Sequence, residues 1–152
     1  MHYAKTPFPP LFRVSLAYCV LIASWIGATA FVSPEQFWTL YVDGATRPEA
    51  TDIMVAALRG VVTLGATALT VWLIFARSRW AQHMVAFGIA YTTFFFFYDV
   101  CTAVFSNRVI ATFSSEATVI FLFTRPLGLV ALIVVYHGLH QMRATRPAGP
   151  GS

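Results

Sequence analysis

The sequence predicts an all-α integral membrane protein, a four-helix transmembrane bundle with a short interfacial helix after the first span. Three observations carry that expectation. Of the 152 residues, 58% are hydrophobic and only 11% are charged, too few to give a soluble domain of this size its polar surface. Four apolar segments, residues 14–32, 53–76, 80–105 and 117–136, approach or exceed the ~20 residues that a spanning helix needs. The basic residues collect at alternate ends of those segments, as topology signals do.

The elements follow in order within one domain, residues 1–152, and no internal repeat is visible. The Pro-rich residues 1–10 read as disordered. The segment 14–32 is too long for a signal-peptide core of roughly 7–15 residues and is expected to be a retained helix. Ser33-Pro34-Glu35-Gln36 reads as a helix start, with Ser33 as N-cap, Pro34 at the first helical position and Gln36 closing a capping box. The aromatic-rich helix 34–42 that follows is expected to lie in the membrane interface, as an anchor or as a lid over the bundle. Glu49 and Asp52 suit the first turn of the second long helix, where acids favour the helix dipole. The link Arg77-Ser78-Arg79 is so short that the second and third segments must form an antiparallel hairpin. The Pro/Gly-rich tail 144–152 reads as disordered.

Lys5, Arg13, Arg77, Arg79, Arg143 and Arg146 fall on one side of the four segments. Arg47 and Arg108 fall on the other, diluted by Glu35, Asp43, Glu49, Asp52 and Glu116. Both termini are therefore expected to be cytoplasmic. Nine arginines to one lysine agree with a GC-rich bacterial genome, so the expected location is a bacterial inner membrane. The net charge of +4 comes from residues scattered singly or in pairs at segment ends, so no nucleic-acid partner is expected.

Arg59, Asp99 and Arg125 are the informative residues. Each lies inside an apolar segment, where a charge costs roughly 2.5–3.5 kcal/mol on insertion scales. At 1.5 Å per residue, all three fall roughly 9–12 Å from the outer ends of their segments, so they form one layer. Helical spacing places Thr63 and Thr70 on the face of Arg59, and Thr92 and Thr102 on that of Asp99. Pro126 follows Arg125 and cannot donate to the Leu122 carbonyl, so a kink is expected there. One reading is an ion pair of Asp99 with one arginine that fixes packing, with the other arginine reaching the headgroups. A second is a pocket with net positive charge for a carboxylate or phosphate on an amphiphile, with Arg59, Asp99, Arg125, Thr63 and Thr92 as ligand-binding residues. A proton or ion path through Asp99 is the third.

His83 and His137 share a depth near the inner face and are weak candidates for a metal or a b-type haem. No cysteine or carboxylate at that level completes a metal set, so no metal is expected; the cofactor is unknown, with haem or pigment kept open. Cys19 and Cys101 fall near opposite membrane faces, which argues against a disulfide. The aromatic run 94–98 must present some rings to lipid or to a partner. Ala23/Gly27 and Ala56/Gly60 are small-residue pairs that permit close helix approach. No nucleophile elbow, C-x-x-C, H-E-x-x-H or glycine-rich phosphate loop occurs, and nothing pairs a Ser or Thr with a base, which weighs against an enzyme.

In size and helix number the chain resembles the small four-helix bacterial membrane proteins of the DoxX-like kind. The resemblance covers architecture and implies neither activity nor site residues. The functional expectation is a non-catalytic accessory subunit, or a binder of a lipid-like or hydrophobic anion through the Arg/Asp layer. Its expected partners are membrane lipids, with other membrane subunits or self-association also open. The alternatives are a membrane redox protein or enzyme using His83/His137 and a small oligomeric transporter.

Overall fold

A computed structural model describes the backbone of residues 7–41, 49–105 and 116–144, with side chains over 7–37, 49–98, 101 and 124–143. Five helices follow one another: α1 (Pro10–Val32), α2 (Pro34–Tyr41), α3 (Ala50–Phe75), α4 (Trp80–Phe105) and α5 (Glu116–Ala144). No strand occurs among the described residues. Two of the helices, α1 and α3, are long and apolar enough to cross a membrane on their described residues.

Local chemistry sets the helix limits. α1 starts at Pro10, four residues before the apolar run, because proline suits the first helical turn. The expectation of disorder through residue 10 needs correcting at its end. Phe8 stacks on Phe12 with ring centroids 4.8 Å apart, and its carbonyl accepts from Arg13 Nε at 2.8 Å. Ser33 alone separates α1 from α2. Its N–H donates to the Thr29 carbonyl at 2.9 Å and its own carbonyl accepts from Phe37 N–H at 2.9 Å. At the start of α3 the carboxylate of Asp52, the third helical residue, accepts from the N–H of the N-cap Glu49 at 3.0 Å, one half of a capping box. Residues 1–6 and 145–152, which the sequence marks as disordered, lie outside the described residues, as do 42–48.

The α3–α4 hairpin turns at Arg77, whose φ of 54° is in the left-handed region. Ser78 N–H donates to the Leu73 carbonyl at 2.9 Å and Arg77 N–H to that of Ile74 at 3.1 Å, the paired bonds of a Schellman stop. An arginine stands where glycine is usual, and its guanidinium lies 4.2 Å from the Phe8 ring centroid. α5 runs eight residues beyond the expected end at 136. Hydropathy stops there because His137, His140, Gln141 and Arg143 are polar. Gly138, Leu139 and Met142 are nevertheless buried, so the last turns are amphipathic. Arg143 closes them by donating to Gln82 Oε1 of α4 and, at 3.4 Å, to the carbonyl of Arg79 in the preceding turn.

The long helices form a square. α1 packs on α3 and α5, and α4 packs on α3 and α5, with no close backbone approach along either diagonal among the described residues. Cross-helix pairs fix the directions. Gly27 faces Gly60 and Phe12 faces Gly138, while Gln82 meets Arg143, so neighbours run antiparallel in up-down-up-down order. α2 folds over the end of the square and touches α1, α3 and α5. At the opposite end, that of the Arg77 turn, Phe12, Leu73, Ile74, Ala81, Val85, Val135, Leu139 and Met142 make the main core. Ala30, Phe37 and Ala56 make a smaller one under α2. The outer faces remain apolar, with Leu21, Trp25, Met54 and Phe94 each more than 60% exposed.

α1 and α3 are in close backbone contact. A Cβ added to Gly60 would lie 2.7 Å from the Phe31 backbone N and 2.8 Å from the Gly27 carbonyl O. A Cβ on Gly65, one and a half turns along the same helix, would meet nothing within 4 Å. Gly60→Ala is expected to lower stability by about 1–3 kcal/mol through overpacking. Gly65→Ala is expected to raise it by about 0.5–1 kcal/mol through helix propensity. Denaturant unfolding of both variants in one detergent checks the contrast.

Candidate functional site

Between the two cores the bundle is hollow. A cavity of about 170 Å³ lies at the centre of the square, reached by all four long helices and by Phe37 of α2. The residues that face it explain its existence. α1 contributes Ala23, α3 Ala66, α4 Gly88 and α5 Gly128, each too small to fill the space opposite.

α3 lays a polar stripe along one wall. Arg59, Thr63, Thr67 and Thr70 recur at helical spacing and all line the cavity. Thr67 Oγ1 donates to the Thr63 carbonyl and Thr70 Oγ1 to that of Ala66, both at 2.7 Å. These hydroxyls therefore satisfy themselves on their own helix and keep lone pairs for an incoming donor. Thr63 Oγ1 lies 3.4 Å from the Tyr91 hydroxyl of α4.

Two arginines line the cavity. Arg59 is half-buried, with its guanidinium carbon 4.0 Å from the Phe95 ring centroid and 5.5 Å from that of Phe37. Phe37 is 1% exposed and belongs to the small core under α2. α2 thus brings an aromatic ring over the end of the cavity, as a lid would. Arg125 of α5 is 7% exposed and lines the same cavity. Its helix continues through Pro126, whose ring faces outward while Arg125 and Gly128 face in. α1 braces this stretch on both sides of the proline. The Tyr18 hydroxyl donates to the Thr124 carbonyl at 3.5 Å, and Cys19 Sγ to that of Gly128 at 3.9 Å.

Of the five residues expected to bind a ligand, Arg59, Arg125, Thr63 and Thr92 all line this one cavity. Asp99 lies in α4, four residues beyond Phe95, but its side chain is outside the described residues, as is that of Thr102. Sequence reasoning missed Phe37, Tyr91, Phe95 and Cys19 as lining residues. Phe95 and Tyr91 had a readable signal, since they precede Asp99 by four and eight positions on one helical face. The contribution of Phe37 had none, because it depends on how α2 folds back. Within the aromatic run, Phe94, Phe97 and Tyr98 are exposed and Phe95 turns toward Arg59.

The histidines lie elsewhere. His83 and His137 are both exposed, and neither lines the cavity. His83 sits against Trp80 with ring centroids 5.5 Å apart, and His137 Nε2 is 2.8 Å from Gln141 Nε2. Among the described residues no group of three or more His, Cys, Asp or Glu is placed to hold a metal ion. Cys19 and Cys101 are free thiols.

Compared with protein-family models, curated proteins and solved structures, the chain matches none. Size and helix number therefore remain the whole of its likeness to the DoxX-like proteins.

The Arg59–Phe95 stack joins α3 to α4 at the cavity wall. A double-mutant cycle with Arg59→Gln and Phe95→Leu is expected to give a coupling of about 0.5–2 kcal/mol in unfolding free energy. A coupling near zero would mean that the two side chains do not stack in the folded protein.

Proposed function

We propose that this chain is a polytopic membrane protein that binds a hydrophobic anion in its central cavity and is not itself a catalyst. In this reading all four long helices span the bilayer with both termini in the cytoplasm, and the Arg77 turn lies on the cytoplasmic side. α4 and α5, of 26 and 29 residues, are long enough, at ~1.5 Å per residue, to cross a hydrocarbon core of about 30 Å. The apolar outer faces support the same reading, because a soluble protein rarely exposes so much contiguous apolar surface.

One observation carries the functional reading. A cavity with mostly apolar walls has two arginines, Arg59 and Arg125, from different helices among the residues that line it. Guanidinium groups in a low-dielectric site attract a carboxylate or phosphate strongly and bind it with two parallel hydrogen bonds. An anionic head at the arginines and an apolar body against the apolar walls would use both features of the site. The threonine stripe adds hydroxyl lone pairs along one wall. The accessory-subunit reading has a separate support, the exposed Phe94, Phe97 and Tyr98 on α4, which suit a neighbouring apolar protein surface as well as lipid.

Gentle extraction followed by native mass spectrometry tests the proposal. The wild-type chain is expected to retain one anionic amphiphile, and a folded Arg125→Met variant is expected to lose it. A wild-type chain that carries no anion and takes up none would sink the binding reading. Stoichiometric partner proteins in the same spectra would favour the accessory subunit.

Topology is checked independently with a membrane-impermeant maleimide on a background in which Cys19 and Cys101 are replaced by alanine. Gln36→Cys is expected to react in intact cells and Ser78→Cys only after lysis. The opposite pattern would invert the orientation.

A further inference from the structure

We infer that the occupant of the cavity is a single-chain carboxylate amphiphile that enters sideways, from the bilayer, through the seam between α3 and α4. The inference rests on the binding reading above and adds to it a ligand class and a route.

The route follows from where the cavity wall is thin. Among its described lining residues, only Val62 of α3 and Phe87 of α4 are exposed, at 38% and 49%. All the others are buried or half-buried. Both exposed residues belong to the same helix pair, so the cavity comes nearest the apolar outer face at that seam.

The seam is fastened unevenly along its length. At the Arg77 end Leu73 and Ile74 share one core with Ala81 and Val85, and the short turn holds the helices together. Toward α2 the described contacts across it include the Thr63–Tyr91 hydroxyl pair at 3.4 Å and the Arg59 guanidinium over Phe95. Such polar and cation–π contacts can part and re-form without leaving an apolar void. The neighbouring seams are held differently. α1 and α3 are in backbone contact at Gly27 and Gly60, and at the Arg77 end Arg143 ties α5 to α4 through Gln82. With the cavity nearest the outer face at Val62 and Phe87, it is the α3–α4 seam that opens, hinged at the Arg77 turn. Arg59 and Tyr91 stand at its edge, and Arg125 lies buried behind them.

The ligand class follows from volume and charge. At about 170 Å³ the cavity is close to the ~150 Å³ of an engineered cavity, in another protein, that holds one benzene. Such a space takes a compact head and the first carbons of one chain. It does not take a glycerol backbone with two chains. A carboxylate is the smallest acid head, and its two oxygens match the planar guanidinium fork. The rest of the chain would leave between Val62 and Phe87 into lipid.

The test uses the full chain in phosphatidylcholine nanodiscs with radiolabelled dodecanoate as probe. Wild-type protein is expected to bind it saturably, and Arg59→Gln and Arg125→Met to weaken binding at least about tenfold. Val62→Trp, which obstructs the seam, is expected to slow association about tenfold while leaving equilibrium affinity within about threefold. Circular dichroism and size-exclusion profiles show that each variant is folded, and Arg125→Lys serves where Arg125→Met does not fold. Unchanged association in Val62→Trp would overturn the lateral route and leave the binding reading intact. Binding of dodecyl phosphate or dioleoylphosphatidic acid in place of dodecanoate would overturn the ligand class alone. Binding of none of the three would remove the anion-binding reading itself.

Discussion

Backbone contact between α1 and α3 at Gly27 and Gly60 is the constraint on which the rest of the molecule depends. With no side chain on either residue, the two helices meet close to α2. That closeness brings Ala30 and Ala56 together and leaves a socket that Phe37 fills from α2. At the far end the helices are held by a larger core of Phe12, Ile74, Val85 and Leu139. Two tight ends with small residues between them make a cavity unavoidable. Helices that are clamped at both ends cannot collapse onto Ala23, Ala66, Gly88 and Gly128 in the middle.

The same geometry gives the two arginines a common environment. Arg59 and Arg125 belong to helices that share no close backbone approach, yet both reach the central space. A guanidinium in such a place is costly unless its surroundings answer it. For Arg59 the aromatic faces of Phe95 and Phe37 provide part of that answer through the negative potential of their rings.

Much of this was legible from residue order. Ser33-Pro34 as the break before a short helix, Asp52 in the first turn of α3 and the tight Arg77-Ser78-Arg79 link are local signals, and the structure uses each of them. The pairs Ala23/Gly27 and Ala56/Gly60 marked helix faces where backbones could meet, and two of those glycines do meet. Arg59, Thr63, Thr92 and Arg125 were singled out because polar groups inside apolar segments must face inward, and all four line the cavity. Hydropathy failed at the end of α5, where an amphipathic turn keeps Leu139 and Met142 inside while its polar residues face out. It failed at Phe8 for a similar reason, since a short Pro-flanked stretch shows no periodicity of its own.

The sequence by itself determined an all-helical chain, the approximate bounds of its helices, and which polar residues turn away from the apolar surroundings. Those properties follow from interactions within a few residues, such as capping, period and turn chemistry, and they need no knowledge of neighbours. Only the tertiary structure decided that α1 lies beside α3 and α5 and diagonal to α4, that Phe37 roofs the centre, and that the seam toward the outer apolar face is the one between α3 and α4. Helix order around a square and the volume left at its middle depend on how four surfaces fit together. No single helix carries that information in its own periodicity.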